Sequence, residues 1–439
     1  NSGNIKAMAS GTMCATCFVG CGAGLTGIEA GFSADADLNL FSSNTCSGCN
    51  LDGSSGCHNV FLGECAGKAV TSGPSNILIG CQAGKCVTSG DGNIAIGKEA
   101  GKQMQVTGTM IYSNVYVGSY AGQNNKHGSF NVALGLRALY KGCSTLSSYN
   151  VAIGLDAGSC ASGSDNVLIG HSTGEGYDSG NYCCNTGEKN IYIGKCAGKK
   201  SHTASFNIGL GYNVMGQTAV ALSGGCNVTI GNCAGWCLAT GTKNIVMGLE
   251  AGKYLCSGSC NIFLGDRAAV GAFGSEITGS NNIFLGGTAG CSLTTGNCNI
   301  ALGVKAGKIS SGAENIAIGS NALGDCSTTT GSNNIAIGCN SGKCITSATC
   351  NVFVGDNAGG QIQTGACSVS IGTRSLLSVT TGHYNVVMGY EAALSMASNS
   401  ACNVVIGTCA GKGSGGAGCD NVFVGAQAGL LNDGSKNTF

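Results

Sequence analysis

From residue 59 onward one short phrase of polar and apolar positions recurs along the chain: an Asn, three consecutive apolar residues, and a Gly, as in "NNIAIGCNSGK" at 333–343 and "GNIAIGKEAGK" from Gly92. With the Asn taken as position 0, it falls at 59, 76, 93, 114, 131, 150, 166, 190, 207, 227, 244, 261, 282, 299, 315, 334, 351, 368, 385, 403 and 421, with Ser368 the single departure. These are 21 copies, most often 17 residues apart and spaced by 16 to 24. Position +1 is always Val or Ile, +3 is Leu, Ile, Val or Met, and +4 is always Gly. Val and Ile at alternate positions favour a β-strand, and a fixed period near 20 marks a solenoid. A helical reading fails, because Gly recurs too often and helical periodicity is missing.

The phrase therefore predicts an all-β fold: a parallel β-solenoid or β-roll of about 22 coils, stacked ~4.8 Å apart. Residues 59–439 form the repeat region, with a 22nd copy opening at Asn437; residues 1–58 hold degenerate repeats, including "TCFVGCGAG" (16–24) and "DADLNLFSSN" (35–44). The Asn residues, among them Asn59, Asn76, Asn93, Asn261, Asn299 and Asn334, are expected to stack as an amide ladder. Gly63, Gly80, Gly97, Gly265, Gly303 and Gly338 at +4 are expected to turn the chain with positive φ.

Inside and outside are assigned by alternation. Positions +1 and +3 share a face, which is expected to line the coil's core. Position +2 then faces away, yet it is apolar except at Gly209, Thr229 and Ser370. An outward stripe of this kind needs a cover. The expectation is an oligomer seam through Phe61, Phe263, Phe284, Phe353 and Phe423, with parallel copies around an axis; the alternative is a broad coil that folds back over the stripe. Extra residues enter between about +9 and the next Asn, the largest being "EGYDSGNYCCNTGEK" (175–189), which places surface loops on one side of the coil.

Composition narrows the function classes. Gly is 78 of 439 residues, without a three-residue period and with one Pro, Pro74, so collagen is excluded. With 43% hydrophobic residues and zero formal net charge the chain is neither disordered nor a natural partner for nucleic acid. No apolar run is long enough for a membrane span, so no membrane insertion is expected. The chain opens without Met and stops at "GSKNTF", from which both ends are expected to be cuts in a longer protein.

At this point a resemblance enters. "TGSNNIAIGCNSG" and "AENIAIGSNALG" resemble the NxAIGxxAL/NxAIGxxAG repeats of phage and large-virus tail or surface fibres, and the left-handed parallel β-roll of trimeric autotransporter adhesin heads. The resemblance spans 59–439. It implies a rigid homotrimeric fibre, extracellular or on a virion surface, that projects or attaches multivalently to a host glycan or receptor. Two features depart from it: the adhesin-head coil is shorter, and such fibres are not usually rich in Cys. A purely structural extracellular filament or sheath is the alternative. A carbohydrate-active β-helix enzyme is a third reading, set aside because the acids are few and dispersed and no HExxH, GxSxG or phosphate-loop motif appears. No catalysis and no cofactor are expected.

The 29 Cys cluster just before the Asn, near +6 and near +10. Disulfide staples are the favoured reading, with Cys256/Cys260, Cys291/Cys298 and Cys344/Cys350 as candidates; small buried hydrophobes filling a narrow coil are the alternative. Cys14-x-x-Cys17 and Cys46-x-x-Cys49 have zinc-site spacing, but disulfides are preferred there, so no metal is expected. Vicinal Cys183-Cys184 lies in the largest insertion, and the five His share no metal spacing. Lys at +9 (Lys68, Lys85, Lys102, Lys199, Lys253, Lys308, Lys343, Lys412) forms a basic column, read as a solubilising sheet surface with Glu99 and Glu250 nearby, or as a contact for anionic glycans.

Overall fold

The computed structural model describes residues 32–35, 37–42, 46–51, 56–104, 111–140, 147–176, 185–216, 222–271, 274–324, 329–413, 418–432 and 434–439. Among them it is all β, without a helix. A first strand β1 (Phe32–Ala34) pairs antiparallel with β2 (Leu40–Ser42), and β2 pairs parallel with β3 (Val60–Leu62). From β3 to β23 (Val422–Val424) each three-residue strand is one copy of the phrase, and each pairs in parallel with the next. The register never slips: Ile262↔Ile283, Phe263↔Phe284 and Leu264↔Leu285 are one rung, and each later rung repeats it. This is a parallel β-solenoid with a coil of about 17 residues.

The Asn column is buried throughout and fixes that register. Asn261 shows the pattern. Its backbone N–H and its Nδ2 both donate to Oδ1 of Asn244 one coil before, at 2.9 and 3.0 Å. Nδ2 also donates 3.0 Å to the carbonyl of Gly279 on the coil after. Asn76, Asn93, Asn299 and Asn334 make the same reach to the Oδ1 of the preceding coil. Asn59 is a weaker rung, since its Nδ2 lacks a partner. The column begins earlier than the clear repeats: Asn59 N–H donates to Asn39 Oδ1 at 2.7 Å, so "LNLFSS" is a true, degenerate copy. It runs on to Asn437, which donates to Asn421 Oδ1.

Gly at +4 turns each coil. Gly63, Gly80, Gly97, Gly265, Gly303 and Gly338 have φ between +124° and +136°. A Cβ on Gly265 would meet the backbone of Gly286 at 2.6 Å, so both the dihedral and the stacking exclude a side chain.

The two faces of the strand are the reverse of the expectation from alternation. Position +2 points into the chain's own coil: Phe61, Phe263, Phe284, Phe353 and Phe423 are at most 1% exposed within a single chain. They are core residues, not an oligomer seam, and the broad coil that closes over them is the arrangement found. Two further inward columns complete the core, the +7 alanines such as Ala66 and Ala251, and apolar residues six before many of the Asn, such as Leu255 and Ile345. Side chains of neighbouring rungs are fitted to one another: Phe263 and Phe284 stack at 5.4 Å, and the Tyr192 ring occupies the space a Cβ on Gly209 would need. Positions +1 and +3 point outward and are half-buried or exposed on every coil.

Candidate functional site

The outward strand face is the strongest candidate. Two parallel columns of Val, Ile, Leu and Met run along it, one rung per coil, with no charged or polar side chain at +1 or +3 in any of the 21 copies. Ile191, Ile193, Ile245 and Met247 are each 37–40% exposed, although the flanking rungs cover their sides. Position −1, just before the Asn, and position +5, just after the Gly, border the columns. Around Phe130 and Tyr149 the borders are apolar too. The two rings stack at 5.2 Å, and Leu136 and Leu155 are exposed on the same two coils. On the coils of Asn190 and Asn207 the borders are cationic and aromatic: Lys189 lies over Phe206 at 5.3 Å, and Lys195 over Tyr212 at 5.9 Å.

A second polar column, which the sequence reading missed, holds this face to the rest of the coil. Two residues before the Asn, a side chain accepts the backbone N–H of the preceding coil: Ser129 from Tyr112, Ser148 from Ser129, Ser259 from Thr242, Asn297 from Ser280 and His383 Nδ1 from Ala366. The signal was present as recurrent Ser at that position. It was obscured because Ser, Asn and His do the same work with different chemistry.

Four of the eight +9 lysines are held in ion pairs. Lys102 pairs with Glu99 at 3.1 Å, Lys253 with Glu250 at 2.7 Å, Lys199 with Glu175 at 3.4 Å and Lys412 with Glu391 at 2.7 Å. The acids Glu250 and Glu391 also bridge to arginines one coil away, Arg267 at 3.1 Å and Arg374 at 2.6 Å. The hydrogen bond from Lys253 holds the Glu250 carboxyl below the usual range, and that from Lys412 does the same for Glu391. The column is thus a set of neutralised rungs at these coils.

The cysteines do not form the expected pairs. Cys256, Cys260, Cys291, Cys298 and Cys350 are thiols, and Cys344 is disulfide-bonded to a residue other than Cys350. The reason is directional. Cys260, Cys298 and Cys350 sit at −1 and project outward, whereas Cys256 is buried on a different side of its coil. The −1 cysteines and Cys256 therefore point apart. Nor are they core filler: among the described cysteines only Cys160, Cys196 and Cys256 are buried. Cys46 and Cys49 are exposed and hydrogen-bonded to each other. Cys14, Cys17, Cys183 and Cys184 lie outside the described residues. Among the described residues no group of three or more His, Cys, Asp or Glu is arranged to hold a metal ion, and no helix is long and apolar enough to cross a membrane.

No protein-family model matches the chain, and no curated protein is similar to it.

Proposed function

We propose that the chain is the shaft of an extracellular or virion-surface fibre, in which copies associate in parallel through the outward +1/+3 face and project or attach the fibre to a host surface. The observation that carries this reading is the charge-free aliphatic face along every copy of the repeat. Soluble monomers rarely leave a contiguous apolar patch of more than a few hundred Å² in water. Twenty-one coils at ~4.8 Å give a strip about 100 Å long, and a width of two outward side chains makes it about 1,000 Å². Two such strips together would bury about 2,000 Å², which is what a stable protein interface needs. The resemblance to trimeric fibres supports three copies around an axis, with a glycan or receptor as the host partner.

The stacked coils also support a mechanical role. Each coil is tied to the next by backbone rungs, by the Asn column and by the closed core, so the unit resists bending over its whole length. Electron microscopy of the chain tests the reading. Straight rods about 100 Å long, thicker than one coil and with copies in lateral register, are expected. Single-coil rods that lie apart at micromolar concentration would oppose it.

A further inference from the structure

We propose that Cys237 and Cys256 form a reactive dithiol site, which accepts a low-molecular-weight disulfide and closes into a bridge between two adjacent coils. The inference is independent of the fibre reading, since it concerns one chain and a side of the coil away from the outward strand face.

The two residues belong to successive coils, Cys237 ten residues after Asn227 and Cys256 twelve after Asn244. Backbone rungs clamp the coils together at this point. Cys237 N–H donates to Lys253 O at 2.9 Å, and Ala239 N–H to Cys256 O at 2.9 Å. The two thiols are hydrogen-bonded to each other across this gap. Cys256 is buried and Cys237 is half-exposed, so an oxidant in solution reaches Cys237 first. The hydrogen bond from Cys256 holds the Cys237 thiol below its ordinary value against the opposing effect of burial, with Lys253 adding to the fall. The same hydrogen bond, together with burial and the Glu276 carboxylate, pushes Cys256 up. Cys237 is therefore the attacking thiolate and Cys256 the resolving thiol.

The chemistry balances with glutathione disulfide as the oxidant. The Cys237 thiolate attacks one glutathione sulfur, the S–S bond breaks, and a glutathione thiolate leaves. Cys256 gives up its proton to solvent and attacks the Cys237 sulfur, expelling the second glutathione. Two protein thiols are oxidised and one glutathione disulfide is reduced to two thiols.

The test treats the full chain with glutathione disulfide under native conditions, then maps unreduced peptides by mass spectrometry. The expected product is a Cys237–Cys256 cross-link that has lost both thiol hydrogens and carries no glutathione. Cys226, Cys260 and Cys298, which are exposed at the position just before their Asn, stop at the glutathione adduct. In Cys256→Ser, Cys237 should accumulate as a stable glutathione adduct; in Cys237→Ser, Cys256 should react at least tenfold more slowly than Cys237 does in the parent. Recovery of Cys237 in the parent as a free thiol, as a lasting glutathione adduct, or bridged to Cys233 would overturn the proposal. The parent mapping decides the matter even should either variant fail to fold.

Discussion

At the scale of single residues, the repeat is written around what one side chain can do. Asn alone among residues of its size presents an acceptor to the coil after it and two donors, one directed back and one forward. All of these are used at Asn299, whose Nδ2 donates to Asn282 Oδ1 and to Gly312 O at 3.1 and 2.8 Å. Leu in its place would leave that carbonyl and the Asn315 amide unpaired in a dry core, a loss of about 3 kcal/mol or more. Ser368 shows the reverse case. Its hydroxyl accepts from Asn385 N–H at 3.2 Å, but the amide-to-amide bonds on both sides of it are missing. Ser368→Asn is expected to restore them and to stabilise the chain by about 1 kcal/mol, read as a rise in the midpoint of chemical unfolding. A fall in that midpoint would show that the column has no room for an amide at this rung. The Asn column was legible because the residue type departs from Asn only at Ser368. The column two residues earlier was not, because Ser129, Asn297 and His383 satisfy the same backbone donors with three different side chains.

At the scale of the strand and its coil, the sequence carried the period, the strand and the turn, but not the direction of the faces. Alternation marks a buried face only when the other face is polar, and here all three strand positions are apolar. The cue lay in size. Position +2 varies from Gly209 through Ala133 to Tyr116 and Phe263, as a closed core of fixed volume demands, whereas +1 and +3 stay uniformly aliphatic, as an outer sheet surface does. The charged rungs belong to this scale as well. Glu250 and Glu391 have carboxyl groups held below their ordinary value of 4.5, so their contribution is complete above that value and is lost as the pH falls through the lowered one. The partner lysines Lys253 and Lys412 are raised above 10.5, and theirs is complete below that value and lost as the pH rises through the raised one. Thermal midpoints should therefore be level between these limits and decline on the acid side, and Glu391→Gln should make the acid decline shallower. An unchanged acid limb in Glu391→Gln would show that the Arg374–Glu391–Lys412 rung adds nothing to stability.

At the scale of the whole molecule, a closed core lies behind an apolar strip on the outward strand face. The solenoid and its parallel register could be read from the sequence, because each coil repeats one local solution. The pattern of thiols could not, because contact between cysteines depends on which side of the coil each leaves and on neighbours a full coil away. The two strand faces now make opposite demands on substitution. Phe284→Asp places a carboxylate in the coil's own core and should unfold the chain around it. Leu285→Asp, one residue on, places it on the outward face and should leave the fold intact while weakening association. Sedimentation velocity of the parent chain beside Leu285→Asp, each checked by circular dichroism, is the most direct test. The account predicts that the parent sediments as a multimer and that Leu285→Asp shifts toward a folded monomer. A parent that sediments as a monomer at micromolar concentration, or a Leu285→Asp chain that assembles as tightly as the parent, would contradict it.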